Sequence, residues 1–197
     1  FRMGEQTFRW ICGDPASGQW LRDLAARQGY RVTVRDSTHQ LHNIALQGPK
    51  SREVLAPLIW NARTQPEVET LGWFRFMIGR LSGPDGIPLM VSRTGYTGEL
   101  GYEVWCHPKD APAVWEAIWA AGEPHGIAPL GLDALDMLRI EAGLIFAGHE
   151  FCPQTSPYEA GIGFTVPMKS KEDDFVGRAA LQRETPESRH RVMGLKM

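Results

Sequence analysis

The chain has 197 residues, a formal net charge of −2, 43% hydrophobic and 22% charged residues, a balance that suits a globular protein of one or two domains. Lys and Arg are dispersed rather than clustered, which argues against a nucleic-acid or anionic-membrane partner. Cys12, Cys106 and Cys152 show no C-x-x-C spacing, no apolar run reaches the ~20 residues of a spanning helix and no signal peptide opens the chain, so a reducing, cytoplasmic location fits best.

Residues 6–12 are apolar enough for a strand, and Asp14-Pro15 places a capping acid ahead of a proline at the first helical position. Trp20, Leu21, Leu24 and Ala25 recur at helical spacing until Gly29. Tyr30, Val32 and Val34 alternate with Arg31, Thr33 and Arg35, the pattern of a half-buried strand. Residues 43–47 form a further short strand, and Gly48-Pro49 opens a helix that turns Val54, Leu55 and Leu58 to the core. Residues 72–79 read as an aromatic-rich strand and Gly83-Pro-Asp-Gly86 as a turn. Residues 88–93 and 102–106 read as strands joined by a glycine-rich loop. Asp110 caps a helix carrying Val114, Trp115, Ile118 and Trp119, and Pro129-Leu-Gly131 introduces another that runs to about Ala142. The composition then turns loop-like over 143–174, before a last short helix over 177–183 and a strand just starting over 190–197. Strand, helix and strand followed by a hairpin and a helix point to an α+β fold with mainly antiparallel sheets.

The loop Arg93-Thr-Gly-Tyr-Thr-Gly-Glu-Leu-Gly-Tyr-Glu103 is the densest chemical feature. Gly95, Gly98 and Gly101 permit positive φ and close backbone approach, so the loop can fold tightly and hold Tyr96, Glu99 and Tyr102 toward a ligand. A glutamate between aromatics suits a flat, polar heterocycle, its carboxylate accepting paired N–H donors. A glycine-rich hairpin with ordinary cross-strand aromatics is the other reading of the same residues. In the helix beginning at Leu132, Asp133, Asp136 and Arg139 share one face. They form either a solvated stripe with an Asp136–Arg139 pair or a pocket wall to which Arg139 or Glu141 contributes. His39-x-x-His42 has no further ligand at motif spacing, and no G-x-S-x-G element is present. Binding, orientation and electrostatics are therefore the expected contributions, with the ligand bringing the reactive centre.

The loop, followed by Pro129-Leu-Gly-Leu-Asp-Ala-Leu-Asp-Met-Leu-Arg-Ile-Glu-Ala-Gly143, resembles the aminomethyltransferase (glycine cleavage T-protein) superfamily. Leu46-Gln-Gly-Pro-Lys-Ser-Arg-Glu-Val-Leu55, Glu159-Ala-Gly-Ile-Gly-Phe164 and Phe175-Val-Gly-Arg-Ala-Ala-Leu181 extend the resemblance over nearly the whole chain. It implies split, ferredoxin-like antiparallel sheets with flanking helices. Residues 1–60 would be part of a first folate-binding subdomain, and 61–145 a second ferredoxin-like one. Residues 146–197 would return to the first and start a C-terminal barrel otherwise absent from the chain. It implies tetrahydrofolate as cofactor and transfer of a one-carbon unit to its N5, from a small donor or a lipoyl carrier protein. By motif position Glu99 would recognise the pterin, with Tyr96 beside it and Tyr102, Arg93 and Arg139 completing the folate site. The alternative from another class is a folate-binding regulatory protein without transferase activity.

Two departures from the T-protein pattern bear on chemistry. Where T-proteins carry an Asn-Ala-x-Asn stretch followed by Lys-Asp, this chain has Cys12-Gly-Asp-Pro-Ala-Ser-Gly-Gln-Trp20, so the catalytic acid is either missing or moved to Asp14, and Ala134-Leu135-Asp136 replaces Ala-Arg-Asp. Both point toward branches that demethylate other substrates, such as dimethylsulfoniopropionate or methoxylated aromatics, with folate as methyl acceptor. The chain reads as a fragment, inactive on its own, of a longer enzyme.

Overall fold

A computed structural model describes residues 1–184 and 191–195, and the chain divides into two compact units. The first comprises Phe1–Gly95 with Glu99–Pro129, the second Tyr96–Gly98 with Leu130–Met197.

In the first unit, helix α1 (Ser17–Gln28) precedes a five-stranded antiparallel sheet of order β1-β5-β4-β3-β2. The strands are β1 (His42–Gln47), β2 (Ile59–Trp60), β3 (Phe76–Leu81), β4 (Pro88–Ser92) and β5 (Gly101–Cys106). Helix α2 (Ser51–Leu55) follows β1, and α3 (Ala111–Gly122) follows β5. Alternation along the strands builds the core, because successive side chains leave opposite faces. Ile44 pairs with Val104, Val104 with Val91 and Val91 with Met77, and all four are buried with Val54 and Leu55 of α2 and Val114 and Ile118 of α3. The α+β fold with an antiparallel sheet and flanking helices is as the sequence reads.

The opposite face of the sheet is partly polar. Trp105 Nε1 donates to Ser92 Oγ at 3.0 Å, and the Phe1 ring meets Phe76 and Trp105 edge-on, 5.5 and 6.0 Å between centroids. The strands expected over 6–12 and 30–35 do not form: among the described residues these segments have no ladder, and Phe8 makes only an isolated bridge to Arg2. Alternation gives a strand only where a partner supplies hydrogen bonds. Helix α1 begins at Ser17 rather than beside Pro15, because Asp14 Oδ1 closes a local turn by accepting from Ala16 N at 2.9 Å. The strand expected over 72–79 starts only at Phe76, since Trp73 and Phe74 form a turn with Phe74 at φ 55°. The strand expected over 190–197 lies partly outside the described residues, and 191–195 carry no ladder.

The second unit contains α4 (Leu132–Glu141) and α5 (Arg178–Arg183), with turns between them. No helix among the described residues is long and apolar enough to cross a membrane.

Candidate functional site

The glycine loop leaves β4 at Ser92 and enters β5 at Gly101. Its base is fixed within the first unit. Thr94 donates its hydroxyl to the Glu103 carboxylate in a short hydrogen bond, and Asn43 Nδ2 donates to the other Glu103 oxygen at 2.6 Å. Arg93 lays its guanidinium over the Trp73 ring, 5.5 Å from the centroid, and donates from Nη1 to the Leu71 carbonyl at 3.1 Å. Its buried Nε–H finds no acceptor among the described residues, a condition that costs about 1–3 kcal/mol when nothing satisfies the donor. Glu99 sits exposed on the loop. Tyr102 is wholly buried; its hydroxyl accepts from Arg52 Nε at 3.1 Å and donates to the Val68 carbonyl at 3.3 Å. It supports the loop from inside the core.

The three glycines do different work. Only Gly98 has positive φ, at 79°, and a Cβ there would lie 2.4 Å from the Ala142 Cβ. At Gly95 and Gly101 the end of the Gln47 side chain occupies the space of a Cβ, its Oε1 lying 1.9 and 2.0 Å from where those atoms would stand. Motif spacing gives no hint of Gln47 as part of the loop, since it lies 48 residues before Gly95 in sequence numbering.

Within the second unit Tyr96, Arg139 and Glu150 belong to one knot. The Tyr96 hydroxyl donates to the Ile145 carbonyl in a short hydrogen bond, and burial pushes its pKa up. Arg139 is 1% exposed. Its Nε donates to Asp136 at 2.8 Å, and its Nη1 donates to Glu150 at 2.6 Å and to the Leu144 carbonyl at 3.1 Å. The Phe146 ring lies under the guanidinium at 5.7 Å. Glu150 also accepts from Phe146 N at 2.9 Å, and Arg139 followed by that N–H holds its carboxyl below the usual carboxylate range. The Asp136–Arg139 pair read from the sequence is thus present, but on a buried guanidinium instead of a solvated stripe. Glu150 is the residue that sequence reading missed here; its separation from Arg139 carries no helical periodicity. Asp14 is exposed in the first unit.

A family model described as the GCVT N-terminal domain matches residues 1–170. The chain is 59% identical over 195 residues to a trimethylamine-oxide aldolase of Ruegeria pomeroyi, covering 99% of this chain and 25% of that one. It is 40% identical over 180 residues to an aminomethyltransferase of Moorella thermoacetica, covering 90% and 46%. Among solved structures it is similar to the glycine cleavage system aminomethyltransferase T of Bartonella henselae, with a TM-score of 0.50 and 31% identity over 64% of this chain and 31% of that one. The chain spans between a quarter and half of the length of these curated relatives.

Proposed function

The chain belongs to the GCVT N-terminal domain family, and on that premise we propose that it is the tetrahydrofolate-binding part of an enzyme that moves a one-carbon unit to N5 of the folate. The observation that carries this reading is Glu99, an exposed carboxylate on a loop whose base is fixed at Thr94 and Arg93. A reduced pterin presents a row of ring and exocyclic N–H donors, and a carboxylate accepts two of them side by side. The residues present fit that group: Glu99 supplies acceptors, and the unpaired Nε–H of Arg93 supplies a donor for an oxygen. When bound, tetrahydrofolate supplies the nucleophilic nitrogen that accepts the carbon.

The protein's share is then recognition and alignment. Glu99 fixes the plane and rotation of the heterocycle. Within the second unit the Tyr96 ring is held by its bond to Ile145, and the Arg139 guanidinium by Asp136 and Glu150. Asp14 is the carboxylate available for proton movement on the first unit, once released from Ala16 N. The donor we favour is a methylated nitrogen compound in place of an aminomethyl carrier. The 59% identity to a trimethylamine-oxide aldolase supports that choice, as does the lack of a carboxylate over 17–20.

A second reading, a folate-binding regulator without transfer activity, is favoured by the Asp14 side chain being engaged in its own turn. One assay separates the two. The full-length protein is incubated with tetrahydrofolate and either trimethylamine oxide or an aminomethyl-loaded lipoyl carrier, and one-carbon folates are measured by mass spectrometry. Turnover with the amine oxide is the expected result. Folate binding without turnover on either donor establishes the regulator, and absence of folate binding removes both readings.

A further inference from the structure

We propose that Gln47, the last residue of β1, and Ser51, the first of α2, are positioning residues that set where Glu99 presents its carboxylate. The inference rests on the folate reading of Glu99 and adds the element that aims it.

The corner from Gln47 to Ser51 grips the loop by four hydrogen bonds to three carbonyls. Gln47 Nε2 donates to the Thr94 and Tyr102 carbonyls, each at 3.2 Å. Gly48 N donates to the Leu100 carbonyl at 2.7 Å, and Ser51 Oγ donates to the same oxygen at 3.2 Å. Leu100 is the residue after Glu99, so two donors converge on the carbonyl of the neighbour of the residue that carries the carboxylate. Thr94 and Tyr102 lie on either side of that point, and the Gln47 carboxamide fills the space that Gly95 and Gly101 leave by having no side chain. Ser51 is buried at 3% exposure, which makes its hydroxyl a fixed donor rather than a solvated one.

Such a grip goes beyond what closing a hairpin requires. Two-residue or bulged turns join antiparallel strands without help from a distant segment. A carboxylate that must meet two donors of a rigid heterocycle has to be held within about 0.5 Å and 10–20°, which calls for a supporting layer behind the contacting one. Gln47 and Ser51 are that layer.

The test uses the full-length protein and tetrahydrofolate, reading Kd by calorimetry and unfolding by differential scanning. Gln47→Met keeps length and volume while removing both donors; Ser51→Ala removes one of the two donors to Leu100. Each variant is made alone and combined with Glu99→Gln. Gln47→Met is expected to raise Kd by about tenfold or more, the scale on which misplaced groups act, at temperatures where the protein is fully folded. In the Glu99→Gln background the same substitution is expected to change Kd little, because a residue acting through Glu99 has nothing left to aim. If Gln47→Met does not fold, Ser51→Ala, which leaves the Gly48 donor in place, carries the test with a smaller rise. Wild-type Kd in Gln47→Met and Ser51→Ala, with Glu99→Gln weakened, overturns the proposal and leaves the folate reading standing. Equal losses with and without Glu99 also overturn it, since they mark a purely structural role. Wild-type Kd in Glu99→Gln overturns both.

Discussion

Gly98→Ala tests the tightest approach in the second unit, and the structure gives its cost in two parts. At φ 79° an alanine sits in the left-handed region, which costs about 1–2 kcal/mol for a residue with a Cβ. The new Cβ would also stand 2.4 Å from the Ala142 Cβ and 3.6 Å from its Cα, and forcing a methyl into occupied space adds about 1–3 kcal/mol. The sum is about 2–5 kcal/mol. Gly161→Ala is the internal control, because Gly161 has φ 75° in the same unit with nothing within 4 Å of its Cβ position. It should cost only the backbone part. The assay is native-state hydrogen exchange read by mass spectrometry over residues 130–184, where opening free energies are resolved segment by segment. Adding Ala142→Gly to Gly98→Ala removes the opposing methyl and should recover the contact part. If the two alanine variants lose equal stability, or Ala142→Gly recovers nothing, the close approach is not what demands glycine at position 98.

Three further outcomes follow from the same geometry. Glu99→Gln should weaken tetrahydrofolate binding by about 1.5–3 kcal/mol, the worth of a hydrogen bond to a charged group, with little change in unfolding; titration of the full-length protein measures it, and equal affinities would remove Glu99 from the site. Met77→Ala, at a side chain with no exposure, should cost the first unit about 2–5 kcal/mol by urea unfolding followed by tryptophan fluorescence. Because the folded-state pKa of Glu150 is depressed by Arg139 and Phe146 N, its stabilisation is fully present above the ordinary carboxylate range and lost as pH falls through the folded-state value. Exchange protection over 144–150 should therefore drop on acidification in the wild type and be insensitive to that pH change in Glu150→Gln.

The sheet was legible where two sequence signals agreed. Residues 88–93 and 102–106 combine strand composition with a glycine-rich connection and become β4 and β5, paired through Val91 and Val104. The helix from Asp110 carries Val114 and Ile118 at helical spacing, and both are buried. Where one signal stood alone it misled: the alternation of Tyr30, Val32 and Val34 gave no strand, and Tyr30 and Val32 remain 64% and 62% exposed. Periodicity reports which face a segment offers, whereas a ladder needs a neighbour that local sequence does not name. The loop was legible as unusual, and Glu99 as its exposed acid. The reason for Gly95 and Gly101 was not, because a residue from another strand fills the space.

Arg139 shows how far the same limit extends. The helix α4 turns Leu132, Met137 and Ile140 outward at 82%, 62% and 54% exposure, while its arginine is buried. A pattern reading assigns the charged face to water, since an unpaired buried charge is costly. Here the guanidinium is enclosed because every approach to it is polar or aromatic: Asp136 and Glu150 carry the countercharge, the Leu144 carbonyl accepts a further bond and Phe146 lies against its face. Replacing such a cluster by well-packed apolar side chains often costs no stability, so stability alone does not account for it. What the cluster adds is register. Hydrogen bonds from one planar cation reach α4 at Asp136 and the following turns at Leu144 and Glu150, and a fork of fixed geometry admits few other arrangements. The segment so fixed includes Ile145, whose carbonyl takes the Tyr96 hydroxyl. A buried arginine on an otherwise outward-facing helix therefore serves the placement of a loop tyrosine three residues before Glu99.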